Sequence, residues 1–456
     1  MDKFVEKLIS IQPSEHQIAW QTLGFTAFLH YGMNTFTNTE WGNGKENPAS
    51  YNPANLDTDQ WCYTLKTAGI TACIITAKHH DGFCLFDTAH TEHGVMHSPK
   101  PIDVVASLAD SCVKHGLKMG VYLSPWDMNA PTYGSGMAYD DFFCAQLDEL
   151  TTKYGPLYTV WFDGACGEGA NGKKQVYDWN RYFSVIRRNQ PQAAIAICGP
   201  DVRWIGNEGG NTRTSEWSVV HERMRDSEKT AALSQQSDDT AFREQRIRSE
   251  DEDLGSRERL AAELAAGGDL CWYPAEVDVS IRPGWFYHPE EDDKIRSLEN
   301  LLDIYEKSVG GNAVLLLNIP PDTSGQIHAA DALRLKELGE RLSAIYDDNI
   351  FAKANVFIDG TDRIHISLDT PKVLTHIVLC EEIRKSQRIE YFEVYAEIDD
   401  DWKKIFESTT IGFKKICCFC PVEAKNWRIN IIKSRSTPTI RFIGGYRDTE
   451  ADLKPL

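Results

Sequence analysis

Along the first three quarters of the chain, short apolar runs alternate with longer stretches of helical character. The runs are GFTAFLH (24–30), TACIITA (71–77), LKMGVYLS (117–124), LYTVWFD (157–163), AAIAICG (193–199), TSEWS (214–218), LCWYPAE (270–276) and AVLLLNI (313–319). Most are continuous in apolar, β-branched or aromatic residues, the pattern of strands buried on both faces. Between them lie segments such as IDVVASLADSCVKHGLK (102–118) and DKIRSLENLLDIYEKSV (293–309), which predict helices. Eight strands with intervening helices over about 345 residues predict an α/β fold, a (β/α)₈-type TIM-like barrel. The fifth and sixth strands are the most weakly marked, and the polar, charged stretch 226–268 reads as a long excursion.

After RLKELGERLSAIY (334–346) the pattern changes. Short alternating runs follow: RIHISLD, LTHIVLC, IEYFEVYAEI, WKKIFEST, KKICCFCPV, NWRINIIKS and TPTIRFIGGY. Turn residues separate them, and no long helix is evident, so the C-terminal part is expected to be an antiparallel β-sandwich. The expected division is a barrel domain over residues 1–347 and a sandwich over 348–456. A chain of 456 residues is also too long for one ordinary core.

Composition narrows the partners. The formal net charge of −19 argues against nucleic acid or an anionic membrane, both of which need basic patches. The 12 cysteines are scattered through apolar stretches, as at Cys73, Cys198 and Cys271, with no metal-type spacing. Cys417, Cys418 and Cys420 crowd together in ICCFC, which alternates as a strand does and has no His nearby in sequence. Buried free thiols, rather than disulfides or a metal site, are therefore expected. The opening MDKFVEKLISIQ has no apolar signal core, and no stretch is apolar enough to span a bilayer. The expected location is cytoplasmic as the chain stands, or periplasmic or secreted if a leader has been removed. The oligomeric state is left open.

In a barrel the reacting groups gather at the C-terminal ends of the strands. Here the first strand ends in His30, the second in Lys78-His79-His80-Asp81, the third in Ser124-Pro125-Trp126-Asp127, and the fourth in Trp161-Phe162-Asp163. The fifth ends in Asp201, the sixth carries Glu216-Trp217, the seventh ends in Glu276 and the eighth in Asn318. Two chemistries fit. Metal-assisted hydrolysis could draw on His30, His79, His80, Asp81 and Asp163. Glycoside hydrolysis needs two carboxyl groups flanking the bond, with His, Trp and Arg to hold hydroxyls and ring faces. The tryptophans at strand ends and in loops (Trp41, Trp126, Trp161, Trp217, Trp285) favour the second.

Four segments carry a more specific signal: FLHYG (28–32), KHHDGF (78–83), VWFDG (160–164) and NIPPDTSG (318–325). In this order they resemble glycoside hydrolase family 29, the retaining α-L-fucosidases, over roughly residues 15–345. The resemblance implies that Asp163 is the nucleophile and that a C-terminal β-sandwich follows the barrel. The stretches WIGNEGG (204–210) and EVDVSIRPGWFYH (276–288) resemble the subgroup cleaving α-1,3 and α-1,4 fucosyl linkages. There the acid/base matches Glu208, with Glu276 as the alternative and Glu216 a further candidate. His30, His79, His80 and Trp161 match sugar-contacting positions, and Glu40, Trp41, Arg282 and Trp285 are similar candidates near the pocket. Asp81 is expected to fix its turn. The expected activity is hydrolysis of terminal α-1,3/1,4-linked L-fucose from a fucosylated oligosaccharide or glycoconjugate by double displacement, with no cofactor and no metal. The alternatives are a broad-specificity α-L-fucosidase, a metal-dependent hydrolase, and a non-catalytic carbohydrate-binding barrel.

Overall fold

The computed structural model describes residues 2–234 and 253–450. Eight parallel strands form the first sheet: β1 (Phe25–Leu29), β2 (Ala72–Lys78), β3 (Lys118–Leu123), β4 (Leu157–Phe162), β5 (Ala194–Ile197), β6 (Arg203–Trp204), β7 (Ala275–Ser280) and β8 (Ala313–Asn318). Their order is β5-β4-β3-β2-β1-β8-β7-β6, a barrel closed except between β5 and β6. The fold expected from the sequence is the one observed.

The alternation of side chains along each strand decides what the barrel holds. Outward residues such as Ala27, Ile75, Val121, Val160, Val277 and Leu315 pack under the surrounding helices in the main core. Inward residues Phe28, Ile74, Tyr122, Trp161, Ala194, Val314 and Leu316 fill the barrel, with Trp20 from the helix Glu15–Gln21 joining them. The helices between strands start where short polar side chains satisfy free backbone donors. Asp57 caps Thr58–Thr67, Asp103 caps Val104–His115, Asp178 caps Trp179–Asn189 and Ser297 caps Leu298–Ser308, each accepting from an N–H three residues on.

Two strand assignments need correction. The sixth barrel strand is Arg203–Trp204, not 214–218. Its register, Arg203 opposite Ala275 and Trp204 opposite Glu276, sends the chain directly into the WIGNEGG loop. The seventh run, 270–276, is cut in two around Pro274, which has no N–H to give a ladder. Leu270–Trp272 pairs antiparallel with Val219–His221 in a side ribbon, and the barrel strand is Ala275–Ser280. Glu276 therefore opens β7 instead of ending it. The excursion expected at 226–268 contains the helices Ser227–Leu233 and Arg257–Ala265; its residues 235–252 lie outside the described ones.

After the helix Ala329–Tyr346, six antiparallel strands follow: β9 (Asn355–Asp359), β10 (Arg363–Glu381), β11 (Ile389–Ile398), β12 (Asp401–Ser408), β13 (Lys415–Ser434) and β14 (Ile440–Tyr446). The long strands β10 and β13 pair along most of their length, with register breaks between Ser367 and Lys372 and between Leu374 and His376. Such breaks bend the pair, so that its two ends face each other across a core of Ile364, Leu374, Ile377, Phe392, Val394, Cys417, Trp427 and Ile429. The sandwich is tied to the barrel by polar contacts. Asn312 donates to the carbonyl of Glu216 at 2.6 Å and accepts from Phe413 N–H at 2.7 Å, and Gln387 accepts from Ser218 N–H at 2.9 Å. All 12 cysteines are free thiols, nine of them buried. Among the described residues, no helix is long and apolar enough to cross a membrane.

Candidate active site

The inward columns of several strands end in polar residues where the barrel opens, with His30 after β1, Asp163 after β4 and Asn318 on β8. Asp163 follows β4 two positions after Trp161, on the same face. Its Oδ1 accepts from Ala165 N–H at 2.8 Å, and its Oδ2 accepts from the Tyr122 hydroxyl at 3.2 Å. His80 Nε2 lies 3.8 Å from the same Oδ2. About a quarter of the Asp163 side chain is exposed (25%), more than the histidines beside it, so the carboxylate is reachable from the mouth while its geometry is fixed from behind.

The three histidines are buried, and burial pushes all three below the ordinary imidazole range, His30 to about 4. They are therefore neutral at physiological pH, each with one donor and one acceptor nitrogen. Asn318 donates to the carbonyl of Trp285 (2.7 Å), which turns its amide oxygen to His30 Nδ1 (2.8 Å). His30 then carries its proton on Nδ1, and Nε2 is an acceptor. Asn34 donates to the carbonyl of Glu40 (3.0 Å) and with the same nitrogen approaches His79 Nδ1 (3.3 Å), so His79 Nε2 is a donor. The Ser124 hydroxyl donates to the carbonyl of Trp126 and accepts from His80 Nδ1, both at 2.7 Å, leaving His80 Nε2 an acceptor beside Asp163. The set is two acceptors and one donor, suited to a ligand with several hydroxyls.

Around them stand aromatic rings. Trp161 packs on Phe28 (5.1 Å between centroids) and Tyr122 (5.4 Å). Trp126 lies against His80 at 4.9 Å, and Trp41 packs edge-on to Trp126 at 5.9 Å. Trp285 lies 5.1 Å from His30.

Glu208 enters from the loop after β6. Its Oε2 accepts from Trp285 Nε1–H at 3.1 Å. Burial, then the negative charges of Asp278 and Asp163, push its carboxyl well above the ordinary range; the Trp285 hydrogen bond opposes this. Asp278, inward on β7, accepts from Trp204 Nε1–H at 2.8 Å and is raised by its burial and by Glu276. Glu276 lies two residues deeper, about 7 Å along the strand. It accepts from Trp161 Nε1–H at 2.7 Å and is raised by burial to about 7.

Three candidates have other duties. Glu216 is held between Arg203 and Arg213 and kept ionised by them. Arg282 does not reach into the pocket: its guanidinium is bound to Asp331 (2.7 Å), Asp292 (2.8 Å) and His328 (3.3 Å). A buried guanidinium demands such partners. Glu40 spends both oxygens on the 285–288 segment, accepting from the N–H groups of Trp285 and Phe286 and from His288 Nε2 at 2.7 Å. It is thereby a clamp on Trp285. Asp81 accepts from Phe83 N–H at 2.6 Å, the turn-fixing role expected of it. Among the described residues, the donor atoms gathered closely enough for a metal ion are those of Glu306, His376 and Cys418, not the barrel histidines.

Tyr122 and Asp278 were not singled out in the sequence. Both carry the signal of strand period: Tyr122 is two residues before Ser124, and Asp278 lies between Glu276 and Ser280.

The chain is similar throughout to proteins of one family. The alpha-L-fucosidase family model matches residues 12–345. "Alpha-L-fucosidase 1" of Arabidopsis thaliana is 35% identical over 96% of this chain and 87% of its own length. A glycoside hydrolase 29 family member from an unknown rumen bacterium superposes with a TM-score of 0.82 at 36% identity, covering 97% of this chain and 79% of that one. A GH29 fucosidase of Ruminococcus gnavus, solved in complex with fucose, superposes at 0.80 with 28% identity, covering 97% and 96% of the two chains. With the family model spanning most of the chain and the barrel mouth equipped as described, the protein belongs to the alpha-L-fucosidase family of glycoside hydrolases.

Proposed function

We propose that this α-L-fucosidase works by double displacement, with Asp163 as nucleophile and Glu208 as acid/base. The observation that carries the reading is the opposite character of two carboxyl groups at one barrel mouth. Asp163 is partly exposed and held in a fixed orientation by a hydroxyl and a backbone N–H. Glu208 is pushed toward the protonated form by burial and by neighbouring acids, Asp163 among them. A reachable carboxyl group in fixed geometry suits the nucleophile, and a buried one held toward its protonated form suits the acid.

In the first step an Asp163 oxygen bonds to the anomeric carbon while the glycosidic C–O bond breaks, and Glu208 gives its proton to the departing oxygen. In the second, Glu208 takes a proton from water, whose oxygen bonds to the anomeric carbon and releases Asp163. His30 and His80 would accept from fucose hydroxyls and His79 would donate. Trp161 and Trp285 would offer flat apolar faces, with Trp41 and Trp126 on the His80 side. Glu276, lodged under Trp161, fits a supporting role better than that of proton donor.

The substrate class we infer is a glycan with terminal α-1,3- or α-1,4-linked fucose. Support comes from the WIGNEGG and EVDVSIRPGWFYH segments, which meet through the Trp285–Glu208 hydrogen bond. The sandwich from residue 348 braces the barrel through the Phe413–Asn312 and Ser218–Gln387 contacts.

The test is a panel: a branched trisaccharide carrying α-1,3- or α-1,4-fucose, an α-1,2-fucosyl oligosaccharide and nitrophenyl α-L-fucoside, with the first anomer of released fucose followed by NMR. Release from the branched substrate alone, as the α-anomer, is expected. Release from all three assigns broad specificity. Release as the β-anomer excludes the double displacement.

A further inference from the structure

The ICCFC segment lies at the start of β13, where Cys418 is directly opposite His376 of β10. The sequence offers this cysteine no neighbouring histidine; the strand pairing supplies one from 42 positions earlier, since directly opposed residues bring their Cβ atoms to about 5 Å. A third group comes from the barrel domain. Glu306, on the helix Leu298–Ser308, faces the pair: its Oε1 lies 3.0 Å from His376 Nε2 and its Oε2 lies 3.7 Å from Cys418 Sγ. All three ligand atoms fall within 4.8 Å of one another.

We propose that Glu306, His376 and Cys418 form a binding site for a Zn²⁺-type divalent cation that clamps the sandwich to the barrel. Zinc binds thiolate, imidazole and carboxylate at about 2.0–2.3 Å in tetrahedral array. Two such bonds at the tetrahedral angle put their ligand atoms about 3.3–3.6 Å apart. The two Glu306 oxygens lie 3.0 Å from His376 Nε2 and 3.7 Å from Cys418 Sγ in turn, and with one oxygen as ligand the three atoms, all within 4.8 Å, close on an ion by about 1 Å at most. The surroundings also match. His376 Nδ1 lies 2.7 Å from the Thr375 hydroxyl oxygen, which in turn accepts from Asp448 N–H at 2.6 Å. An Nδ1–H donated to that oxygen leaves Nε2 free to ligate, the arrangement that orients a metal-bound histidine. The Tyr346 hydroxyl donates to Glu306 Oε1 at 3.0 Å and holds the carboxylate in place. Cys418 is exposed, so an ion has a path in and a water can take the fourth position. On binding, the Cys418 thiol releases its proton to solvent and the sulfur–metal bond forms. This site uses none of the barrel-mouth residues, and the mixed S, N, O set selects zinc over calcium or magnesium.

The test uses the full-length protein, dialysed with chelator and then exposed to Zn²⁺ alone. About one zinc per chain is expected to remain after removal of free metal, with a rise in melting temperature. Co²⁺ in its place is expected to give sulfur-to-metal charge-transfer absorption. Cys418→Ser and His376→Gln are each expected to lose the retained ion and the melting shift, whereas Cys420→Ser keeps both and fucosidase activity is unchanged throughout. Melting of the metal-free variants shows that they fold. Failure to retain zinc, retention in Cys418→Ser, or dependence on Cys420 instead would each overturn the proposal.

Discussion

The two halves of the barrel are built differently, and the two carboxyl groups sit one in each. From β1 to β4 the chain is regular: every strand is five to seven residues long, and helices separate them. Each delivers its polar terminus from a backbone held on both sides, as Asp163 is by Ala165 N–H, Tyr122 and the flanking strands β3 and β5. From β5 to β7 the pattern loosens. No helix separates β5 from β6, β6 is two residues long, and an excursion with its own ribbon precedes β7. Glu208 sits on the loop this creates, tied by Trp285, itself clamped by Glu40. A nucleophile must meet one carbon along one line, which suits a strand end. An acid/base must serve a leaving group and then a water, which suits a loop tuned by its neighbours.

The largest effect should come from the rigid half. Asp163→Asn keeps shape and hydrogen-bond reach but has no charge to form the covalent intermediate. It is expected to lower kcat by about 10³-fold or more on every substrate, with melting unchanged. A variant retaining a tenth of wild-type turnover would show that the nucleophile lies elsewhere. In the loose half, Glu208→Ala is expected to cost about 10²–10⁴-fold on a natural glycan, whose leaving oxygen needs a proton, and far less on nitrophenyl fucoside. Equal losses on both would remove Glu208 from the acid role; Glu276→Gln, tested in parallel, would then be the variant to follow.

The same division governs what could be read in the sequence. The regular half was legible: His30, His79, His80 and Asp163 stand where apolar strands end. Strand period gives the direction of His30 and Asp163, whereas the adjacent His79 and His80 both enter the site because β2 has ended at Lys78. In the other half the cues misled. TSEWS looks extended because it is β-prone, but Glu216 serves two buried arginines there. The seventh run falls one strand early, and all six residues of β7 are buried, Glu276 and Asp278 included, because a barrel interior can be polar. Arg282 shares the motif of Trp285, but its side chain turns to Asp331 and Asp292. Which partner a side chain selects depends on contacts outside its own motif, as with Asp331 for Arg282, and the same gap hid the approach of His376 to Cys418.

The smallest effect, and the sharpest on how the loose half is tuned, is a pair of opposite pH shifts. Glu208 must be protonated to act as acid, so the alkaline limb of kcat/KM reports its loss of that proton in the free enzyme. Trp285 Nε1–H stabilises the ionised carboxylate. Trp285→Phe removes that donor, and the limb should move to higher pH by about one unit, the equivalent of one hydrogen bond to a charged group. Asp278 acts in the other direction, since its negative charge disfavours ionisation of Glu208. In Asp278→Asn that charge is gone, and the limb should move to lower pH. Because Glu208 and Asp278 titrate as neighbours, the wild-type limb belongs to the pair, whereas that of Asp278→Asn belongs to one group and should follow a single ionisation. Limbs that move together, or not at all, would mean that the proton lost on the alkaline side is not that of Glu208.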